Sequence, residues 1–256
     1  MIEIAYKRIT SPGQLGAGFT GDDGLGMCKK ESYYIHDTVI DLSGWPLCLI
    51  DEATAATLGA SATFKNCHIR GAGKLILCGC GDVTGLPLER GRSVTFERCL
   101  LEDFGRRGVE AQDGMYVGLR ECVVRNWGAP DRFSVRSFAS WAHAGGEIRV
   151  QDSVFDQPKF WRGWGQMWDD FKGRLGQAWN DEGPRGVLRP STYIPGVCKA
   201  LSATDGGKVR ARGCRSLKWW IAPLPGNWER MSKSQALALV QELEDMAKNL
   251  DAALAA

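Results

Sequence analysis

Two adjacent arginines, Arg106 and Arg107, are the residues of this sequence whose position most suggests chemistry. They lie between two copies of one short pattern, VTFERCLLEDFG at residues 94–105 and VGLRECVVRNWG at residues 117–128. At this position one predicted strand has ended and the next has not begun. The structural alternative is a solvated basic loop whose arginines pair with neighbouring carboxylates, namely those of Glu102, Asp103 or Glu110.

Histidine and cysteine, the other common catalytic and metal-binding residues, show no spacing that is typical of a site. The three histidines, His36, His68 and His143, fit neither a catalytic triad nor a zinc site. Cys78 and Cys80 form a CxC motif, and no second pair gives the spacing of a zinc knuckle. We interpret most of the nine cysteines as small buried hydrophobic residues.

The two copies of the pattern predict β-strands, because apolar and polar residues alternate in them. The pattern recurs at residues 34–40, 63–69, 149–155 and 210–216, which gives six copies. A small residue occupies the same position in each copy, and the copies are 29, 32, 23, 31 and 61 residues apart. The six small residues are Thr38, Cys67, Cys99, Cys122, Ser153 and Cys214.

A strand pattern that returns after tens of residues predicts one structural unit stacked on its like, because a single unit cannot bury its apolar face alone. We therefore predict an all-β fold: a right-handed parallel β-helix, built as a single-stranded solenoid. The six small residues should lie one above another in its interior. An inserted amphipathic helix and a C-terminal helix complete the predicted fold.

The composition divides the chain into three parts. A glycine-rich N-terminal cap covers residues 1–30, the β-helix covers 31–230 with a helical and loop insertion at 157–197, and a C-terminal helix covers 231–256. In the insertion, apolar residues recur at intervals of three and four, as on one face of a helix. They are Phe160, Trp164, Met167, Trp168, Phe171, Leu175 and Trp179. This helix either packs on the side of the solenoid or presents an aromatic platform to a ligand.

The C-terminal segment predicts a helix that begins after Ser232 or Ser234 and runs to about Ala253. Apolar residues follow heptad spacing, at Leu239, Leu243, Met246, Leu250 and Ala253. In one interpretation the helix lies back on its own body or covers an open coil end. In the other it associates with copies of itself, most naturally as a homotrimer, or docks on another protein such as a virion partner.

Composition and charge exclude several classes of protein. At 256 residues with 44% apolar content, the chain can form one solenoid domain with a sizeable core. The net charge of +2 gives no strong attraction to nucleic acid or to membranes. No apolar run approaches the ~20 residues of a membrane span. The N-terminus lacks the apolar core of a signal peptide, so we expect the protein to be cytoplasmic on synthesis.

Residues 93–127, which contain both copies of the pattern and the arginine pair, resemble the later coils of pectate lyases of polysaccharide lyase family 1, in the pectin lyase-like β-helix superfamily. That family has a VTF strand, an RxPxxRxG segment and a strand that ends near an aromatic residue. Residues 49–54 (LIDEAT) and 66–79 (NCHIRGAGKLILCG) resemble two upstream segments of the family. Val109 stands in place of the family's proline, and Gln112 in place of its second arginine.

The resemblance implies calcium-assisted β-elimination on an acidic polysaccharide, in which an arginine removes the proton next to a carboxylate. Arg107 takes the place of this base, with Arg106 beside it, and Lys74 takes the place of the substrate-binding lysine. Asp51 and Asp37 take the places of calcium ligands. Free arginine has a pKa above 12, so such a base needs a crowded cationic setting. The predicted substrate-binding residues are Trp127, Arg136 and Trp141.

Two functions follow from these observations. The first is a pectate-lyase-like enzyme that cleaves an acidic polysaccharide through Arg107 and Lys74. The alternative is a non-catalytic β-helix, a structural or adhesion component of a phage particle such as a tail or head fibre, which binds glycans or partner proteins. The absence of an export signal favours the alternative, because a virion component leaves the cell by lysis.

Overall fold

The computed structural model describes residues 1–11, 14, 32–43, 48–50, 61–71, 74–78, 93–103, 107–111, 115–127, 138–142, 145–156, 198–204, 206–217, 221–222 and 230–255. These residues form strands and one helix. In chain order they are β1 (Ile2–Ala5), β2 (Arg8–Ile9), β3 (Tyr33–His36), β4 (Val39–Asp41), β5 (Cys48–Ile50), β6 (Ser61–Lys65), β7 (His68–Arg70), β8 (Lys74–Cys78), β9 (Ser93–Glu97), β10 (Leu100–Glu102), β11 (Arg107–Ala111), β12 (Tyr116–Arg120), β13 (Val123–Arg125), β14 (Phe138–Ala142), β15 (Glu147–Gln151), β16 (Val154–Asp156), β17 (Cys198–Ala203), β18 (Lys208–Arg212), β19 (Arg215–Ser216), β20 (Ile221–Ala222) and α1 (Lys233–Ala253).

The protein is mostly β, and its described strands form three parallel sheets. The first sheet has the order β1-β3-β6-β9-β12-β15-β18, and the second has the order β2-β4-β7-β10-β13-β16-β19. The third has the order β5-β8-β11-β14-β17-β20. From β3 onward the chain visits the first, second and third sheet in turn, so neighbours in each sheet come from successive rounds of the chain. The described parts of all six copies of the sequence pattern lie in such rounds, on the first and second sheets.

Along each strand of the first sheet, successive side chains alternate between the core side and the outer side. Ile35, Phe64, Phe96 and Leu119 are paired in register on neighbouring strands and are all buried. The rings of Phe64 and Phe96 stack with centroids 5.0 Å apart. Because register is conserved from strand to strand, like residues meet in columns, and each round covers the apolar surface of the one before it.

The six small residues of the pattern are buried at the corner between the first and second sheets. Each follows a residue with positive φ: Asp37, Asn66, Arg98, Glu121, Asp152 and Gly213. The corners are joined by backbone hydrogen bonds, since the carbonyl of Cys67 accepts from the N–H of Leu100 and that of Cys99 accepts from the N–H of Val123. The prediction that these six residues lie in the interior on successive rounds is confirmed.

The C-terminal helix packs on the second sheet. Ser232 caps α1 by accepting from the N–H of Gln235, whose side chain in turn accepts from the N–H of Ser232. The helix spans Lys233–Ala253, which confirms both its predicted start and its predicted end. Its buried residues, Ala236, Leu239, Leu243 and Ala247, form a cluster with outward-facing Leu100, Val123 and Val154 of the sheet. The helix therefore lies back on its own body, whereas a trimer formed through it stays a prediction.

The other predicted segments are described only in small part or not at all. The N-terminal cap is described only at residues 1–11 and 14, where β1 and β2 already begin the first and second sheets. The insertion at 157–197 lies outside the described residues. Within the described part of the chain, no helix combines the length and apolar character that crossing a membrane requires.

Candidate functional site

The third sheet places Arg107 and Lys74 next to each other. Each is the first residue of its strand, in β11 and β8, and the two are paired in register. Neighbouring strands lie about 4.8 Å apart, so the two backbones approach as closely as a sheet allows. The strand β11 is anchored by Val109 and Ala111, which are fully buried.

The register that pairs these two residues continues across the sheet. Phe138 is paired with Arg107 on the next strand, and Lys199 is paired with Phe138 on the strand after that. We call the line of Lys74, Arg107, Phe138 and Lys199 the basic register line. Three of its four residues are cationic, and strand spacing puts the backbones of Lys74 and Lys199 about 14 Å apart.

The proposed calcium ligand Asp37 lies elsewhere, at the corner between the first and second sheets. Its carboxylate is hydrogen-bonded to His36 Nδ1 at 2.7 Å and accepts from Asn66 Nδ2 at 3.2 Å. The hydrogen bond to Asp37, with a second one to Glu3, raises the pKa of His36. Asp37 therefore makes hydrogen bonds at this corner and is not part of the third sheet, which contains Arg107 and Lys74.

A calcium site is predicted at Asp51 and Asp37. Among the described residues there is no group of three or more His, Cys, Asp or Glu side chains arranged to hold a metal ion. The second predicted ligand, Asp51, lies outside the described residues. Calcium stays a prediction.

The remaining predicted site residues are Trp127, Trp141, Arg106 and Arg136. Trp127 is only 1% exposed and packs edge-on against Phe155, with ring centroids 6.4 Å apart, so its ring faces leave no room for a sugar. Trp141 lies in β14, in register with Glu110 of β11. Arg106 and Arg136 lie outside the described residues. We therefore do not include Trp127 in the candidate site.

A second group of ionisable residues lies between α1 and the second sheet. His68, with a side chain 4% exposed, bonds Glu102 Oε1 at 2.8 Å and Asp251 Oδ2 at 3.2 Å. Burial would raise the pKa of Glu102, but His68 and Arg125 outweigh it and lower that pKa to about 2. Arg8 contacts the other oxygen of Asp251 at 2.8 Å. A histidine between two carboxylates resembles acid–base machinery, but the helix covers it, and its role is to hold the helix in place.

A charged surface that the repeated pattern did not single out lies on the outer side of β12, β15 and β18. We call it the basic face and define it by five cations, Arg120, Arg149, Lys208, Arg210 and Arg212. All five are exposed. The sequence KVRAR at residues 208–212 could have indicated this surface, because its basic residues occupy every second position and so lie on one side of a strand.

No protein-family model, curated protein or solved structure matches this chain.

Proposed function

We propose that this protein is a right-handed parallel β-helix that acts on an acidic polysaccharide, cleaving it by β-elimination at Arg107 and Lys74. The fold part of the proposal is supported by three parallel sheets that the chain visits in a fixed order. Connections between parallel strands of one sheet are right-handed in about 98% of cases, which supports the hand.

The observation that carries the proposed activity is the pairing of Arg107 with Lys74 in register on adjacent strands. Sequence resemblance alone assigned these two residues to one site, although they are separated by a whole round of the chain. A cation next to an arginine disfavours the charged form of that arginine, which is the condition for arginine to accept a proton. The same cation can bind the carboxylate of a uronate residue.

The proposed reaction needs no oxidant or second substrate. Neutral Arg107 takes the proton from the carbon next to the uronate carboxylate, and Lys74 stabilises the negative charge that develops on that carboxylate. The electron pair of the broken C–H bond forms a carbon–carbon double bond as the glycosidic C–O bond breaks. The departing oxygen takes up a proton from solvent, and the product is an unsaturated uronate.

The test is the ultraviolet absorbance of unsaturated uronate after mixing the protein with polygalacturonate, with and without calcium and from neutral to alkaline pH. We expect the wild type to produce the signal and Arg107→Ala to lose at least about a hundredfold in rate, the usual contribution of a general base. Arg230→Ala, at an exposed arginine outside the described sheets, is the matched control and should keep the wild-type rate.

Two outcomes would contradict the proposal. A signal that survives Arg107→Ala removes the assigned base. A wild type that binds polygalacturonate but never produces the absorbance rejects cleavage of this polymer and favours the alternative, a non-catalytic β-helix that binds glycans as a component of a particle such as a phage tail or head fibre.

A further inference from the structure

The basic face is a regular array of cations on one side of the first sheet. Gly118, Arg149 and Arg210 are paired in register across β12, β15 and β18, and Arg120, Gln151 and Arg212 form the next such line. Strands are about 4.8 Å apart, and alternate residues along one strand are about 6.7 Å apart. The array therefore places its outward-facing residues, most of them cationic, at a regular backbone spacing.

The guanidinium groups at the centre of the array are exposed and held in position. The side chains of Arg149 and Arg210 are 53% and 66% exposed, and both contact Glu147 Oε1, at 2.7 and 3.4 Å. The hydrogen bond from Arg149 lowers the pKa of Glu147, which keeps that carboxylate ionised at neutral pH. With Glu147 engaged in this way, the two arginines are oriented before a ligand arrives, and the face keeps a surplus of positive charge.

Protection of the sheet edge does not account for this surface. The strand β18 ends the first sheet, and charged residues on edge strands commonly prevent association with other sheets. Arg120 and Arg149, however, lie on β12 and β15, which have neighbouring strands on both sides. Their exposed charges have no edge to protect.

A flat, hydroxyl-bearing surface continues the array toward the first rounds of the chain. The guanidinium of Arg149 lies 5.3 Å from the ring centroid of Tyr116. Gly118 leaves room for that ring, since a Cβ there would lie 3.2 Å from Tyr116 Oη and 3.3 Å from the methyl carbon of Thr95. Thr95 and Thr63 then continue the register line of Gly118 and Arg149.

We propose that the basic face, with the threonine line beside it, is a binding site for an anionic polysaccharide, separate from Arg107 and Lys74. The acidic groups of the polymer bind Arg149, Arg210 and their neighbours, and its hydroxyl groups bind Thr95 and Thr63. The ligand class rests on the proposed function, whereas the location rests on the first sheet alone. Planar guanidinium groups bind carboxylates through two parallel hydrogen bonds, which suits the uronate groups of such a polymer.

The chemistry of the surface favours a polysaccharide over a single-stranded nucleic acid. Nucleic acids of this kind are bound by aromatic rings that stack on the bases. On the described part of this face Arg149 lies over the ring of Tyr116, and the ring of Tyr34 packs against His36 with centroids 4.9 Å apart. A uronate polymer is bound instead through its carboxylates and hydroxyls, which guanidinium and threonine side chains can bind.

The experiment measures binding of the full chain to polygalacturonate by affinity electrophoresis, with dextran as the neutral polymer and single-stranded DNA as the competing polyanion. We expect the double variant Arg149→Ala/Arg210→Ala to weaken polygalacturonate binding about tenfold or more, because two charge-assisted contacts are lost. Lys233→Ala/Lys248→Ala, which removes two exposed cations from α1, is the charge-matched control and should bind as the wild type does.

Other results of this experiment would separately test the location of the site, the class of ligand and the proposed cleavage. Equal weakening in both double variants would show that only net charge matters and would overturn the proposed site, and tighter binding of DNA than of polygalacturonate would overturn the ligand class. Unchanged binding in Arg149→Ala/Arg210→Ala, with binding lost in Arg107→Ala, would overturn the site while leaving the proposed function intact. Wild-type binding that is lost in Arg149→Ala/Arg210→Ala, without any unsaturated product, would support the site and reject cleavage.

Discussion

At the scale of single residues, the corner between the first and second sheets explains why Thr, Cys and Ser replace one another. The thiol of Cys99 donates to the carbonyls of Glu97 and Phe64, at 3.3 and 3.4 Å. The hydroxyl of Ser153 donates to the carbonyl of Gln151 and accepts from the N–H of Cys122. Burial raises the pKa of the Cys99 thiol, so it stays protonated and able to donate. The position needs a small side chain that can both donate and accept.

This requirement predicts opposite outcomes for two substitutions of Cys99. Cys99→Ser keeps the size and the donor and should change the free energy of unfolding by less than about 1 kcal/mol, within the range of conservative core changes. Cys99→Leu should lower it by about 1–3 kcal/mol, because added methylene groups overfill a closed core. Urea denaturation measures both, and a Leu variant as stable as the Ser variant would contradict the described corner.

The burial of some single residues could be predicted from the sequence, and that of others could not. The six corner residues were predictable because one repeated pattern fixes their register. Trp127 was not, because its burial depends on the local turn: it follows Asn126, which has φ of +54°, and it then packs against Phe155 of the next round. For this reason the sequence predicted that Trp127 contacts a ligand, whereas in the structure it belongs to the core.

At the scale of elements, α1 is attached to the second sheet by an apolar stripe flanked by ion pairs. Asp251 contacts Arg8, His68 and Arg70, and Arg125 pairs with both Glu102 and Glu244. The limits of the helix were predictable because a capping box is local in sequence. Its docking was left open, because the residues that contact Asp251 are more than 180 positions away along the chain.

The ion pairs of Glu102 predict an acid-sensitive contribution to stability. The pKa of Glu102 is lowered from 4.5 to about 2 in the folded protein, so the unfolded chain binds a proton at higher pH than the folded one. The stabilisation is therefore complete above pH 5 and is lost as the pH falls toward about 2. Glu102→Gln should lower the free energy of unfolding by about 1–3 kcal/mol at neutral pH and flatten its decrease between pH 5 and 2.

Denaturation of the wild type and Glu102→Gln across this pH range checks the prediction. Glu242→Gln is a suitable control, because Glu242 is 53% exposed where it pairs with Arg98, and exposed pairs contribute little. Asp41 keeps its own lowered pKa of about 2 in every variant, so part of the acid sensitivity should remain. Parallel pH curves for the wild type and Glu102→Gln would contradict the assigned role of Glu102.

At the scale of the whole molecule, the register between successive rounds determines every functional inference. It brings Lys74 next to Arg107 on the third sheet and lines up Arg149 with Arg210 on the first. The order of rounds was predictable from the repeats, since each copy supplies equivalent strands. The basic face was missed because its cations belong to three copies and form a surface only when those copies are placed side by side.

The most direct test of this register is a disulfide between rounds. Thr63 and Thr95 lie on the outer side of β6 and β9 and are paired in register. In Thr63→Cys/Thr95→Cys the two cysteine Cα atoms therefore lie about 5 Å apart, a distance that a disulfide can span. Thr63→Cys/Arg149→Cys, three strands apart at about 14 Å, is the control. Under mild oxidation of the folded protein, we predict by mass spectrometry a disulfide between the two introduced cysteines in the first variant and none in the second. Cross-linking of the control alone, or equal cross-linking of both, would contradict the stacked rounds and, with them, both proposed sites.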